Sequence, residues 1–434
     1  MPHLRNDAAS HYSVGGFPMS DHQGVLAPFR ALDLSDERGL LCGKILADLG
    51  ADVIKVEKPG GDPARRIGPF YHDVPDPDKS LFWFAYNTNK RGITLDIETD
   101  EGKKLFRKLA ESTDIVIESF EPGCMEKLGL GYPQLSKINL GLVMTSITAF
   151  GQTGPYAGFK YSDIIAWAMG STMSQCGDPN RPPVQCSFPQ AFINAAADAA
   201  EGTMVALYHR ELTGEGQHVD VSAQESCIWA TTENVMEWDG AKLLTKRPGH
   251  EIVRPSGLHW PVLWKCKDGY VAMVLLGGVM GAKTNIRLTE WMDGKGMAPD
   301  HLMNKDWGSW DFTSLTQEDL DAVVDPIARF FRTMTKAEVQ RGAIERAIQI
   351  QAVYNAEETM RNPQLVARDF WVNIEHDELS DSITYPGAFA KFSETPMKTW
   401  RRAPLIGEHN AEIYLKELGL SQEELATLKL RGTV

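Results

Sequence analysis

Ala31-Leu-Asp-Leu34, Ser35-Asp-Glu-Arg-Gly39 and Ala51-Asp-Val-Ile-Lys-Val-Glu57 together decide the fold. The first run predicts a short strand. Ser35 or Asp36 can cap a helix from about Glu37 to Leu49, Gly50 stops it, and residues 51–57 return to strand. That is a βαβ unit, the germ of a doubly wound sheet. Glu57, an acid closing the second strand, invites a dinucleotide reading. The turn after the first strand denies it, because residues 35–39 hold no G-x-G-x-x-G. Two acids at the helix start would also repel a pyrophosphate.

Further α/β units extend from this one. Gly92–Asp96, Asp114–Glu118, Leu142–Ile147 and Gln217–Ser222 predict strands, and 99–112 and 191–212 predict helices. After Cys227 the character changes: Trp and Met accumulate, and Val262–Lys267 with Tyr270–Leu276 predict a hairpin around Asp268-Gly269. Helices are expected over 336–348 and near 410–418. The plan is an α/β protein with a doubly wound, Rossmann-like large domain interrupted by a smaller α+β domain. Its segments are a loose extension over 1–24, the large domain over 25–228, the small domain over 229–330, and a return to the large domain over 331–434.

With 434 residues, the chain is long enough for two or three domains. Its 58 acidic against 44 basic residues give a formal charge of -14, which argues against nucleic acid as a partner. No apolar run approaches the roughly 20 residues of a membrane helix, so no membrane contact is expected. Residues 1–24 contain no apolar core of a secretory signal. Cys42, Cys124, Cys176, Cys186, Cys227 and Cys266 are widely scattered, which fits reduced thiols in the cytoplasm and no metal site.

Open α/β sheets place ligands at the carboxyl ends of their strands. Three loops are expected there: Asn87–Arg91, Glu118–Gly123 and Ala149–Pro155, the last leading to Asp163. Asp163 opens the apolar stretch Ile164–Met169, where amides and the helix dipole favour a carboxylate. On spacing alone, Asp163 reads as a cap, Lys90-Arg91 as a solvated pair and Gly151–Pro155 as a turn.

Taken together these stretches resemble the class III family of CoA-transferases, which includes formyl-CoA transferase, carnitine-CoA transferase and acyl-CoA racemases. The resemblance runs from about Arg30 to Gly432 through Leu46–Glu57, Asn89-Lys-Arg91, Phe120-Glu-Pro-Gly123, Phe150–Pro155, Thr213–Gln217 and Arg402–His409. It implies Asp163 as nucleophile: its carboxylate attacks a donor thioester, passes through an acyl anhydride, and then carries CoA as an aspartyl thioester. It implies CoA contacts at Asp36, Glu37 and Arg38, at Leu95, Asp96, Ile97 and Glu98, and at Ser119 and Phe120. It also implies Lys127 near the CoA phosphates and Thr148, Ala149 and Phe150 near the pantetheine end. CoA is then a cosubstrate, with no tightly bound cofactor. The family's threaded, interlocked dimer implies a homodimer, or a heteromer with a paralogous subunit.

The chain departs from the family pattern at Asp36–Gly39, at Glu121 where a basic residue is common, and at Thr148 where the formate enzyme has a lysine. No glycine-rich loop stands near Pro255-Ser-Gly257. These departures argue against formate or oxalate. They favour succinyl-CoA as donor and a larger, aryl-substituted acid as acceptor, with Arg181, Arg254 or Lys265 holding the second carboxylate. Trp229, Met236, Trp238, His259, Trp260 and Trp264 are candidate lining residues, although core packing is the more common fate of such side chains. Two alternatives stay open. One is a racemase, against which Tyr161-Ser162-Asp163 stands where racemases have Gly-His-Asp. The other is a non-catalytic subunit, which would have no need of Asp163.

Overall fold

The structure, a computed structural model, describes residues 24–254 and 256–434. All but the last residue of the expected N-terminal extension therefore lies outside the described residues, as does Pro255. The described chain forms two compact units. One comprises the chain up to Phe159 together with Phe192–Ser222 and Val372–Val434; the other comprises Lys160–Ala191 and Ala223–Trp371. These bounds differ from a sequence segmentation at 228/229 and 330/331, because 160–191, 223–228 and 331–371 pack with the second unit.

The first unit is built on six parallel strands: β1 (Arg30–Asp33), β2 (Asp52–Glu57), β3 (Arg91–Thr94), β4 (Ile115–Glu118), β5 (Val143–Thr148) and β6 (His218–Ser222). Their order is β3-β2-β1-β4-β5-β6. This is a doubly wound sheet with its switch point between β1 and β4. Every residue of β4 and β5 is buried, as expected of strands covered on both faces. Helix Asp100–Ala110 shows how the sequence drives the packing. Thr99 caps it through the Gly102 N–H, acids fill its first turn, and Leu105, Phe106, Leu109 and Ala110 enter the core beside Val56, Ile93 and Val116. Burial of a side chain such as Phe106 stabilises the fold by about 2–3 kcal/mol.

The expected terminal helix is a π-helical stretch, Ala411–Glu417, and a further helix, Gln422–Leu430, follows it under a Ser421/Glu424 capping box. The segment Arg402–His409 folds back onto β3. The Pro404 carbonyl accepts from Arg65 (2.8 Å) and Trp83 (3.1 Å), and His409 Nδ1 accepts from the Gly92 N–H (3.1 Å).

The second unit contains the expected hairpin, Leu263–Cys266 paired antiparallel with Gly269–Ala272, extended by Gln351–Ala352. Helix Gln317–Arg332 packs on it. Trp260, Trp264, Trp291, Phe330 and Phe331 form the core, with Trp260 stacked 4.5 Å from Phe312. Trp229, Met236 and Trp238 are instead exposed. The aromatic group thus splits between core and surface.

Candidate active site

The residues singled out from the sequence fall in both units. In the first unit, the β1–β4 switch point brings Asp36–Arg38 beside Ser119. The Asp36 N–H donates to Ser119 Oγ (3.0 Å), and that hydroxyl donates to Asp36 Oδ1 (2.8 Å). Arg38 Nε also donates to Asp36 Oδ1 (2.6 Å). The acid at this turn is therefore partnered by a guanidinium, and the anion repulsion expected of two bare acids is weakened. Glu37 is exposed and Phe120 half-buried at the same edge.

Glu118, the last residue of β4, is buried and accepts from the Phe120 N–H (2.7 Å). Burial pushes its carboxyl up to about 7, against the lowering pull of hydrogen bonds from Ser146 and the Phe120 amide. After β3, Leu95 and Ile97 point into the core and leave only backbone for a ligand, whereas Asp96 is half-buried and Glu98 pairs with Lys58 (2.8 Å) on the surface. Lys127 is exposed in the last turn of helix Cys124–Leu128. At the end of β5, Thr148 and Ala149 are buried. The Thr148 hydroxyl has no hydrogen-bond partner among the described residues. Phe150 is half-buried, edge-on to Tyr156 at 6.2 Å.

Asn87–Arg91 does not join these loops. It enters β3 from the amino end, and Lys90 and Arg91 are buried rather than solvated. Lys90 Nζ pairs with Asp33 (2.8 Å) and donates to the Leu40 carbonyl and Asn87 Oδ1 (both 2.9 Å). Arg91 forks onto Asp52 at 2.9 and 2.6 Å. Burial opposes both charges of the first pair. Asp33 faces Lys90 and Lys55 and ends below the usual carboxylate value; Lys90 has Asp33 on one side and Lys55 on the other and is lowered. Helix Leu40–Asp48 rides directly on this pair. A Cβ at Gly43 would lie 2.2 Å from Asp33 Oδ2, which only glycine avoids. Glu57, the acid that suggested a ribose contact, is held by Arg65 at 2.6 and 2.7 Å.

In the second unit Asp163 is the first residue of helix Asp163–Met169 and is half-buried. Its Oδ2 accepts two N–H groups, Gln185 Nε2 at 3.0 Å and the Gln190 main chain at 3.2 Å. Neither glutamine was expected; a contact reaching back over a Pro-rich loop leaves no periodic trace in sequence. Arg247 braces that loop through the carbonyls of Ser174 (3.2 Å), Asp178 (3.3 Å) and Arg181 (3.1 Å). The Val184 N–H, next to Gln185, closes it onto Cys176 (3.1 Å). Arg181 is exposed with Asp178 at 4.0 Å, Arg254 is exposed with its guanidinium 5.7 Å over Trp260 and Phe312, and Lys265 is exposed on its strand.

The profile of CoA-transferase family III matches residues 26–410. The chain belongs to that family. A succinyl-CoA:(R)-benzylsuccinate CoA-transferase subunit, BbsE, of Thauera aromatica is 35% identical over 409 residues, covering 94% of this chain and 97% of that protein. The succinyl-CoA–D-citramalate CoA-transferase of Chloroflexus aurantiacus is 31% identical over 399 residues, covering 91% and 94%. Among solved structures, a CAIB/BAIF family protein from Brucella suis superposes with a TM-score of 0.78 at 25% identity, covering 91% of this chain and all of that one. The protein is a family III CoA-transferase, and its α/β fold with a central parallel sheet is the fold of that structure. Acyl-CoA thioesters and carboxylic acids are the substrates of such enzymes. Among the described residues no helix is long and apolar enough to cross a membrane.

Proposed function

We propose that this transferase moves CoA from succinyl-CoA to a larger carboxylic acid, with an aryl-substituted succinate as the favoured acceptor. Asp163 carries first the donor acyl group and then CoA. The observation that carries this reading is the Asp163 carboxylate, half-buried at the head of an apolar helix and gripped on one oxygen by two neutral N–H donors. Neutral donors leave the carboxylate nucleophilic and remain useful after it is acylated. Both transferases compared above are named for succinyl-CoA, and one for benzylsuccinate. CoA is assigned to the β1–β4 crevice, with Lys127 near its phosphates and the Thr148 hydroxyl, unpartnered among the described residues, available to a pantetheine amide.

Assembly belongs to the same proposal. Helix Ala191–Thr213 exposes Val205 (61%), Tyr208 (68%) and Leu212 (69%), an apolar stripe that suits a second chain. A homodimer is the expected state, and a paralogous second subunit is the other outcome, since the Thauera relative is itself named as a subunit. A cytoplasmic site fits cysteines of which none forms a disulfide among the described residues. Thioester formation from succinyl-CoA, assayed on the purified chain with a panel of acids, tests the reading. Arylsuccinates should outpace formate and acetate; equal or better use of the short acids contradicts it.

A further inference from the structure

Two N–H groups converging on one carboxylate oxygen do more than hold it. Donors at 3.0 and 3.2 Å on Asp163 Oδ2 sit where a negative charge would collect if the Asp163 carbonyl carbon were attacked. We propose that the Gln185 side-chain amide and the Gln190 main-chain N–H form the oxyanion hole for reactions at the Asp163 carbonyl, and that they fix Oδ2 as the oxygen that never leaves. This rests on Asp163 being the acyl and CoA carrier.

In the anhydride, Oδ1 bridges Asp163 Cγ to the donor acyl carbon, and Oδ2 is the carbonyl oxygen. The CoA thiolate forms an S–Cγ bond, and the C=O π pair moves onto Oδ2, where both N–H groups receive it. Collapse restores that C=O, breaks the Cγ–Oδ1 bond and releases the donor acid, which carries Oδ1 away. On return, an acceptor carboxylate oxygen attacks Cγ, the thiolate departs through the same tetrahedral state, and the thiolate then takes the acceptor acyl group. The acceptor's oxygen stays on Asp163 as the new Oδ1. The Gln185 donor is well placed for this, because it follows a loop closed at Val184 and braced by Arg247.

Turnover of the full-length enzyme with succinyl-CoA and an acceptor acid labelled with ¹⁸O in its carboxylate tests this. The peptide bearing Asp163 is then weighed. Wild type should gain one ¹⁸O and no more over many turnovers. Gln185→Ala should lower kcat by about 10²-fold, the loss typical of one missing oxyanion donor, with KM for succinyl-CoA within about threefold. It should also gain a second ¹⁸O, because the freed carboxylate rotates. Gln185→Met, which keeps the volume but not the donor, should behave alike and replaces the alanine variant if that one fails to fold. A kcat within twofold of wild type, or incorporation still limited to one ¹⁸O in the variant, overturns the oxyanion assignment. Wild type that turns over without gaining any label instead overturns Asp163 as carrier.

Discussion

Asp33 closes strand β1 and Asp163 opens a helix, and their surroundings ask opposite things of them. Asp33 lies under helix Leu40–Asp48 with no solvent exposure, clamped by Lys90 at 2.8 Å and by the Ser35 hydroxyl at 2.6 Å. Asp163 is half-buried and receives neutral amides on one oxygen. A carboxylate locked to a buried ammonium is held ionised and out of reach, so it serves the fold. A carboxylate fed by neutral donors can change its covalent state without stranding a charge. Glu118 is a third case: buried at a strand end with no salt bridge among the described residues, its carboxyl is pushed up to about 7 by burial.

The largest contrast should come from the two aspartate environments themselves. Asp163→Asn should lower CoA transfer by at least about 10⁴-fold, as loss of a covalent nucleophile does, while the thermal midpoint stays near wild type. Activity within tenfold of wild type would show that Asp163 is not the nucleophile. Lys90→Met should do the reverse, removing about 3–5 kcal/mol of stability by stranding the Asp33 charge, with activity per folded molecule preserved. The double variant Asp33→Asn, Lys90→Met should recover part of that loss. Denaturant titration of wild type, Lys90→Met, Asp33→Asn and the double variant checks the pair, and additive losses in the double variant would show that the two side chains are not coupled.

A smaller and pH-dependent effect belongs to Glu118. Its carboxyl binds a proton more tightly folded than unfolded, so wild-type stability should fall as pH rises from about 4.5 towards 7. Glu118→Gln cannot ionise. Its thermal midpoint should match wild type near pH 4.5 and exceed it increasingly up to pH 8, by about 1–3 kcal/mol in stability. A difference that stays flat with pH would show that Glu118 does not carry the shifted proton.

Much of the parallel sheet was legible because β2, β4 and β5 are rich in β-branched and other apolar residues and the strands are punctuated by capping and turn residues. The hairpin around Asp268-Gly269 was legible for the same local reasons. The buried charges were not. Lys90 finds Asp33 57 residues away in sequence, and no local rule separates that lysine from a solvated one. The last helix, Gln422–Leu430, buries only Leu425 and so shows almost no apolar face to read. At the candidate site, Asp163 was singled out through the family resemblance rather than its spacing. Gln185 reaches it across 22 residues of chain, through a contact that only folding creates.

Covalent carriage of CoA by Asp163 is tested by incubating the enzyme with succinyl-CoA and no acceptor, quenching in acid and weighing the peptide that contains Asp163. This peptide should gain the mass of CoA less one water, hydroxylamine should remove the adduct, and Asp163→Asn should never acquire it. An unmodified Asp163 peptide from enzyme that is turning over, or the same adduct on another residue, would contradict it.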